Sequence, residues 1–300
     1  MTMMTTDTLH AAEHFIMRNA RLLDRHRFAF HFHSGPDAPV RTVLDGYRNV
    51  DGGYGNALEP DLRGHGSQPR AVETALRVLD ELGPLPRADV VRVCSFLTYA
   101  TARNGGVPPV LPSVRHTETA PRWRARTDFA GALAPTAAIA GLLHRHHITH
   151  PWRDRATAFC WSRIAALHWT EPEEAVAVCT FLEHAPDQQR ARAELARLAP
   201  MIRATIVLDA HAQGEVHTPL DLAPHPNHIA RSLFDDDQIN AHLDRLAGAQ
   251  HADGGWDFPG EHWCAAATEE ARGAITVQRL LTLRAYGRLG EHAPAPRSGR

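Results

Sequence analysis

The 300-residue chain contains no lysine, so all 32 of its basic side chains are arginine. This absence excludes catalysis through a lysine Schiff base and the phosphate-binding lysine of a P-loop. The formal net charge is -2 with neutral histidines, which leaves no basic excess of the kind that nucleic-acid-binding proteins use. We therefore expect no nucleic-acid partner.

Cysteine is also scarce, and its spacing forms neither a metal-binding nor a disulfide pattern. Of the four cysteines, Cys94, Cys160 and Cys179 lie in apolar runs of helical type, which predicts small buried side chains in a reducing compartment. Residues 1–15 lack the basic and apolar segments of a signal peptide, and no apolar run is long enough to span a bilayer. These absences predict a cytoplasmic protein without a transmembrane segment.

The sequence has little of the alternating pattern that indicates β-strands, and its apolar residues recur at helical spacing. This predicts an all-α fold of ten to twelve helices in antiparallel pairs. A helical hairpin takes roughly 40–50 residues, so residues 1–290 would supply about six pairs, which can close into a ring as a single domain. The polar tail, residues 291–300, is predicted to be disordered. The predicted helices cover residues 8–32, 37–47, 68–82, 87–102, 129–146, 152–168, 171–184, 187–202, 235–249 and 268–289.

One turn motif recurs along the chain, each time after a helix-like run. Residues 47–68 read YRNVDGGYGNALEPDLRGHGSQ and contain the turn Asp51–Tyr54. A second copy, Asp253–Trp256, lies in the stretch QHADGGWDF, and residues 104–106 form a weaker Asn-Gly-Gly copy. Paired glycines permit positive φ, and the Asp side chain can bond to the backbone ahead of it. The recurrence favours a repeat protein in which the turn fastens one helix end to the next pair.

These turns, with Gln250 three residues before Asp253, resemble the Gln-Trp repeat of squalene–hopene and oxidosqualene cyclases. In the first copy Arg48 stands where the glutamine would be. Protein prenyltransferase β-subunits carry related Gly-Gly turns, and the chain also looks like uncharacterised bacterial proteins described as prenyltransferase or squalene-cyclase repeat proteins. The resemblance implies a squalene-cyclase-like α/α toroid of concentric inner and outer helices. It does not fix an activity.

The catalytic motifs of these families are incomplete in this chain. Such cyclases protonate an alkene with the middle acid of an Asp-X-Asp-Asp motif, but Phe234 occupies the position of its first Asp, before Asp235–Asp237. The triplet also resembles a magnesium-binding box, although acidic residues at a helix start equally cap the helix. Zinc, which prenyltransferases bind through Asp, Cys and His, would have Asp257, His262 and Cys264 as ligands, without the family's Asp-X-Cys spacing. We expect no cofactor, with Zn or Mg as the less favoured alternative.

The candidate active site is the loop that follows the first turn. Its carboxylates and histidine could supply acid and base, and its arginine could hold an anionic group. In a toroid the loops before inner helices rim the central cavity, and the ends of a closed ring meet. The stretch after the last turn would therefore lie beside this loop. The predicted catalytic residues are Glu59, Asp61 and His65, and the predicted substrate-binding residues are Arg63, Tyr54, Trp256, Asp257, His262, Trp263, Glu269 and Arg272.

Three functions fit these residues. A terpene-cyclase-like or prenyltransferase-like enzyme would act on an isoprenoid or similar apolar small molecule, and it needs aromatic faces around a carbocation, whereas aromatics make up only 7% of the chain. A carbohydrate-active hydrolase or lyase would use paired carboxylates. A non-catalytic module would only bind a small molecule or peptide. An aromatic cavity would favour the first, opposed carboxylates the second and a shallow opening the third. The sequence leaves the substrate and the oligomeric state open.

Overall fold

The structure, a computed structural model, describes residues 6–212, 217–257 and 263–289. Within these ranges every regular element is helical, and the pairs Arg48–Tyr54 and Leu62–Thr119 are isolated bridges outside any strand, which confirms the all-α prediction. No helix in these ranges is long and apolar enough to cross a membrane. The tail, residues 291–300, lies outside the described residues. The α-helices are α1 (Thr6–Asn19), α2 (Leu22–Phe32), α3 (Ala38–Asp45), α4 (Pro69–Glu81), α5 (Arg87–Ala100), α6 (Pro121–Arg124), α7 (Leu133–Arg145), α8 (Pro151–Ala165), α9 (Pro172–His184), α10 (Gln188–Ala204), α11 (Pro219–Leu222), α12 (Asp236–Gly248) and α13 (Ala265–Ala285).

The chain divides into two compact units. Unit 1 combines residues 1–46 with residues 206–300, and unit 2 is the continuous segment 47–205. Unit 1 therefore contains α1–α3 and α11–α13, and unit 2 contains α4–α10. That residues 1–290 form a single domain stays a prediction.

Helix α7 is the centre of unit 2, and ten of its thirteen residues are buried. It packs against α4, α8 and α9, while α5 packs against α8 and α10 against α9. A Cβ added at Gly141 would lie 2.7 Å from the carbonyl oxygen of Thr180. The glycine therefore allows α7 and α9 to approach closely.

The three helical cysteines are buried in unit 2, as the sequence predicted. Cys94, Cys160 and Cys179 are free thiols with no exposed surface. Burial raises the pKa of the Cys94 and Cys179 thiols to about 12, and it also raises the pKa of Cys160. These protonated thiols pack as small apolar groups.

Helix α13 organises unit 1 by packing against α1, α2 and α12. At Gly273 an added Cβ would lie 2.6 Å from the Cβ of Ala20, so α13 approaches the end of α1 closely. The first and the last of the described helices are therefore direct neighbours.

The prediction of one continuous helix over residues 8–32 is wrong, because the chain breaks before Arg21. Helix α1 ends at Asn19, and Arg21 is extended, with φ -60° and ψ 156°. Its Nε lies 3.1 Å from the carboxylate of Asp24, which is fully buried and also pairs with Arg27 at 2.8 Å. The break gives this buried charge a second arginine partner, and a buried charge needs such pairing.

The acidic triplet at the start of α12 caps the helix. Oδ1 of Asp235 accepts a hydrogen bond of 2.7 Å from the backbone N–H of Gln238, whose side chain accepts in return from the backbone of Asp235. Asp236 pairs with Arg231. Two of the three carboxylates thus have protein partners, so their position at the helix start is accounted for by capping and ion pairing without a metal ion.

The three Gly-Gly turns share one geometry. The first glycine has positive φ in each copy, 85° at Gly52 and 94° at both Gly105 and Gly254. The side chain of the preceding Asp or Asn accepts a hydrogen bond from the second glycine N–H. The donor–acceptor distances are 2.9 Å for Gly53 to Asp51, 3.4 Å for Gly106 to Asn104 and 2.9 Å for Gly255 to Asp253. By its sequence the middle copy, residues 104–106, matches the motif least well, yet its backbone forms the same turn as the other two copies.

The second glycine of each turn also packs against a phenylalanine ring. The rings are Phe96 of α5, Phe159 of α8 and Phe15 of α1. The first two turns lead into α4 and α7, and the ring then comes from the next helix, α5 or α8. The third turn leads into α13, and α1 supplies its ring. At this contact α1 acts as the helix that follows α13.

Candidate functional site

The loop between the first turn and α4, residues 54–68, has a strained backbone. Asn56 and Ala57 both have positive φ, 54° and 64°, a region that alanine rarely adopts. A Cβ added at Gly55 would lie 2.5 Å from the carbonyl oxygen of His65, so the two sides of the loop touch. Such strain persists only where the surroundings fix it, and it concentrates at functional sites.

A side-chain network holds this loop to the turn before it. Asn56 donates to Oδ1 of Asn49 at 3.2 Å, which leaves its own Oδ1 to accept from Nδ1 of His65 at 3.1 Å. The hydroxyl of Ser67 donates to the Asp51 carboxylate at 2.7 Å. Because Nδ1 of His65 carries the proton in this assignment, Nε2 is the nitrogen that can accept one. The imidazole itself is exposed.

Glu59 is bound by the first turns of α4. Its Oε2 accepts from Nε of Arg70 at 3.1 Å, and its Oε1 accepts from the hydroxyl of Thr74. Arg70 also donates to Glu173, in the first turn of α9, at 3.1 Å and lies 5.6 Å from the ring centroid of Trp123. Burial lowers the pKa of Arg70, but the charges of Glu59 and Glu173 raise it by more, so the pKa lies above its ordinary value. Two carboxylates from different elements thus converge on one guanidinium, and we call these five residues the Arg70 centre.

Asp61 faces a different arginine. Its Oδ2 lies 2.5 Å from Arg122, and its carbonyl oxygen accepts from the hydroxyl of Thr119 at 2.8 Å and the N–H of Ala120 at 2.9 Å. These bonds attach residues 112–126, which we call the strap, to the loop. The strap contains a 3-10 turn and the short helix α6.

A small cleft of about 20 Å³ opens between the loop and the strap. Gln68 lines this cleft and has both ends of its side chain bonded, since its amide nitrogen donates to Ser113 at 3.0 Å and its oxygen accepts from the N–H of Leu111 at 2.7 Å. Arg63 is half-buried nearby, and its N–H donates to the carbonyl oxygen of Glu118 at 2.9 Å. The cleft lining includes Leu62, Gly64, Gly66, Gln68, Ser113 and Thr117.

Two aromatic residues that the sequence predicted to contact substrate are buried. Tyr54 has no exposed surface and lies under the guanidinium of Arg48, 5.2 Å from its ring centroid. Trp256 is 2% exposed, and its indole N–H donates to the carbonyl oxygen of Leu246 at 2.9 Å. Both therefore pack the interior of their units, and a substrate could reach them only if that interior opened.

Arg272 is the centre of a separate charge cluster in unit 1. Its guanidinium lies 2.8 Å from Asp253, 2.7 Å from Asp257 and 3.7 Å from Glu269, and 4.6 Å from the ring centroid of Phe15. Burial lowers the pKa of Arg272, but these carboxylates raise it. Burial raises the pKa of Asp253, but a backbone N–H and Arg272 lower it. The cluster holds the last turn against α13 and α1.

The remaining predicted contacts are placed only in part. Trp263 is half-buried just before α13, and His262 lies outside the described residues. That the loop of Glu59 faces the stretch around Glu269 stays a prediction.

Within the described ranges no three His, Cys, Asp or Glu side chains form a group that could hold a metal ion. Of the zinc candidates, Asp257 pairs with Arg272 and with His251 at 3.0 Å, and His262 is not among the described residues. The prediction about cofactors therefore stays a prediction.

Sequence reasoning missed the arginine partners of the candidate carboxylates. Arg70 stands two residues after Gln68 at the start of α4, and Glu173 lies in the first turn of α9, about a hundred residues away in the sequence. The run RWRAR, residues 122–126, was a local signal, because it places three exposed or half-buried arginines beside an aromatic residue in one loop. Its pairing with Asp61 depends on the fold.

Comparisons with known proteins identify a similar fold. No family model matches the chain, and no curated protein matches it. A crystal structure of a protein from Actinoplanes is similar with a TM-score of 0.55 at 18% sequence identity, over 94% of this chain and 90% of that chain. At this identity the likeness concerns the fold alone.

Proposed function

We propose that this protein is an enzyme that acts on a small polar substrate at the loop 54–68, most consistent with a carbohydrate-active hydrolase or lyase. The observation that carries the proposal is the Arg70 centre. There Glu59 and Glu173 approach one guanidinium from two separate elements. Paired carboxylates are the groups that acid/base cleavage of a sugar requires.

The chemistry of the site favours this function over an isoprenoid enzyme. A carbocation needs accessible aromatic faces, whereas Tyr54, Trp123 and Trp256 are 0%, 8% and 2% exposed. The loop instead presents carboxylates, amides and an exposed imidazole.

The residues of the loop suggest distinct roles. Glu59 accepts hydrogen bonds from Arg70 and Thr74, which suits a carboxylate acting as base or electrostatic stabiliser. Glu173 has half of its side chain exposed, so a ligand can approach it from solvent. His65 offers Nε2 as a second proton acceptor. Asp61 positions the strap through Arg122.

A ring of helix pairs is the architecture we propose for the scaffold. Its support is the contact between α1 and α13, in which the first helix supplies the phenylalanine for the last turn. A linear stack of helix pairs has no reason to join its two ends.

A second function, ligand binding without turnover, is favoured by one observation. Both Glu59 and Asp61 already have arginine partners. Carboxylates held in this way can fix a ligand by hydrogen bonds without exchanging protons.

The experiment begins with mass spectrometry of ligands that co-purify with the protein and with elemental analysis for metals. A panel of neutral oligosaccharides is then tested for cleavage, alongside geranyl diphosphate. We expect cleavage of an oligosaccharide, which Glu59→Gln lowers by about 100-fold or more, as removal of a general acid or base does. Glu194→Gln, which removes an arginine-paired carboxylate from α10, is the matched control and should leave the rate unchanged.

Three outcomes separate the candidates. Oligosaccharide binding without cleavage favours the binding module. Conversion of geranyl diphosphate favours the isoprenoid enzyme. Equal activity of the Glu59→Gln and wild-type proteins contradicts the proposed site.

A further inference from the structure

The strap carries a positive charge that its own contacts do not balance. Its four arginines are Arg115, Arg122, Arg124 and Arg126, whereas the whole chain has a net charge of -2. The first three are exposed. An excess of one sign on a protein of the opposite net sign needs a local explanation.

Only two carboxylates in the described part of the chain neutralise these arginines. Arg122 pairs with Asp61 at 2.5 Å, and Arg124 is 3.6 Å from Glu118, a long contact between exposed groups. Arg115 donates to the carbonyl oxygen of Arg126 at 2.9 Å, and Arg126 donates to another carbonyl oxygen at 2.6 Å. These carbonyl contacts orient the guanidinium groups but leave their charge uncompensated.

The cleft beside the strap has neutral donors that suit an anionic oxygen. Ser113 uses its oxygen to accept from Gln68, so its hydroxyl hydrogen is available. Among the described residues, the N–H groups of Gly64 and Gly66 donate to no acceptor. A Cβ added at Gly64 would lie 2.6 Å from Thr117, so only glycine leaves this wall open. The cleft's volume suffices for one water-sized group, such as a single phosphate oxygen.

We infer that the strap and the cleft bind a phosphate group of the ligand. One phosphate oxygen enters the cleft near Gly64 and Ser113, and Arg115 and Arg124 neutralise the remaining charge from the strap. Arginine forks match phosphate oxygens in geometry as well as charge. The inference rests on the proposed function, because it places the phosphate beside the loop that carries Glu59. The phosphate could belong to a phosphorylated sugar or to a diphosphate ester, and the experiment distinguishes these sources.

The test measures binding of inorganic pyrophosphate by calorimetry at low ionic strength. We expect Arg115→Gln/Arg124→Gln to weaken binding by about tenfold or more, since hydrogen bonds to charged groups are strong. The charge-matched control is Arg87→Gln/Arg192→Gln, two exposed arginines of α5 and α10, which should bind within about twofold of wild type.

A second pair of variants separates charge from geometry. Arg115→Lys/Arg124→Lys keeps both charges, so binding should be recovered in part, and circular dichroism checks that every variant is folded. Absence of pyrophosphate binding to the wild-type protein, or equal weakening in both glutamine pairs, would overturn the inference.

Competition identifies the source of the phosphate. Displacement of pyrophosphate by glucose 1-phosphate supports a sugar ligand and agrees with the proposed function. Displacement by geranyl diphosphate but not by glucose 1-phosphate supports phosphate binding at the strap but contradicts the carbohydrate function. The opposite result is also possible: the protein cleaves a neutral oligosaccharide in a Glu59-dependent reaction but does not bind pyrophosphate. That result would leave the proposed function intact and contradict phosphate binding at the strap.

Discussion

At the scale of single residues, Arg70 connects parts of unit 2 that are distant in the sequence. It joins the loop through Glu59, α9 through Glu173 and the strap through Trp123. Its guanidinium gives both carboxylates a charge-assisted hydrogen bond, which is stronger than one from a neutral donor. Arg70 therefore stabilises the site and also partly neutralises its two carboxylates.

We expect Arg70→Gln to lower the free energy of unfolding by about 1–3 kcal/mol, because it leaves the mostly buried Glu59 without its charge partner. Urea unfolding measures this change. The double variant Arg70→Gln/Glu59→Gln should be more stable than the sum of the two single variants by at least about 0.5 kcal/mol. Additive effects would show that the pair contributes no coupling.

His144 gives unit 2 a dependence on pH. Burial lowers the pKa of His144 to about 4, Arg153 and His184 add to the shift, and Asp154 opposes it. The folded pKa lies below the ordinary value of 6.5, so the unfolded chain binds the extra proton first as the pH falls. Stability should therefore decrease from about pH 6.5 to about pH 4, with a slope of up to about 1.4 kcal/mol per pH unit from this group.

The measurement compares wild type with His144→Gln by chemical denaturation across this range. Subtraction removes the contribution of the other titrating groups. The difference between the two curves should change with pH below 6.5 and stay constant above it. A difference that does not depend on pH would contradict the lowered pKa of the half-buried His144 imidazole.

At the scale of elements, the Gly-Gly turns allow one substitution to be compared in three environments. Gly105 and Gly254 have the same φ of 94°, but an added Cβ would lie 3.7 Å from Phe159 in the first case and 2.0 Å from the carbonyl oxygen of Ala11 in the second. At Gly52 the corresponding distance, to the carbonyl oxygen of Arg92, is 2.4 Å. Backbone strain and steric overlap can therefore be separated.

We expect Gly105→Ala to cost about 1–2 kcal/mol from its φ alone. Gly52→Ala and Gly254→Ala should each cost about 1–3 kcal/mol more, since overlap with a helix backbone is not relieved by a rotamer change. The loss should rise in the order Gly105, Gly52, Gly254. Urea unfolding measures these changes. If all three variants lost the same free energy of unfolding, the neighbouring helices would have moved away from the added methyl group at little cost.

Asp253 can be tested with a substitution that the chain itself contains in another turn. Asp253→Asn should keep the turn bond, as Asn104 does, and lose only the ion pair with Arg272. Asp253→Ala should lose both and lower the free energy of unfolding by about 1–3 kcal/mol. If the two variants were equally unstable, the turn bond would contribute nothing.

Much of this element structure could be predicted from the sequence. The helical spacing of apolar residues and the glycines and prolines that end helices located most of the helices. The Asp-Gly-Gly motif indicated the geometry of the turns. Both signals depend on local chemistry. The break before Arg21 could not be predicted, because it depends on the burial of Asp24. The Arg70 centre could not be predicted either, since Glu59, Arg70 and Glu173 meet only because α4 packs against α7 and α7 in turn packs against α9. The burial of Tyr54 likewise follows from tertiary packing. The sequence predicted that this turn aromatic would face a cavity, but it packs in the interior of unit 2.

At the scale of the whole molecule, unit 1 is built from two chain segments that only unit 2 joins in sequence. If unit 2 unfolded alone, unit 1 would have to close a flexible loop of roughly 160 residues, which costs several kcal/mol of chain entropy. We therefore expect one unfolding transition in helical circular dichroism and no stable half-chain after limited proteolysis. Two resolved transitions, or a protease-resistant fragment 47–205, would contradict the single domain.

The contact between Phe15 and Gly255 sets an order of events during synthesis. A ribosome makes Phe15 first and the third turn about 240 residues later, so the face of α1 that α13 covers stays exposed while most of the chain is made. Local helix pairs of unit 2 can form in the meantime, because their contacts are close in sequence. Completion of unit 1 must wait for the last helix to leave the ribosome. A nascent chain that stalls before α13 therefore displays an apolar surface to chaperones and to its own neighbours.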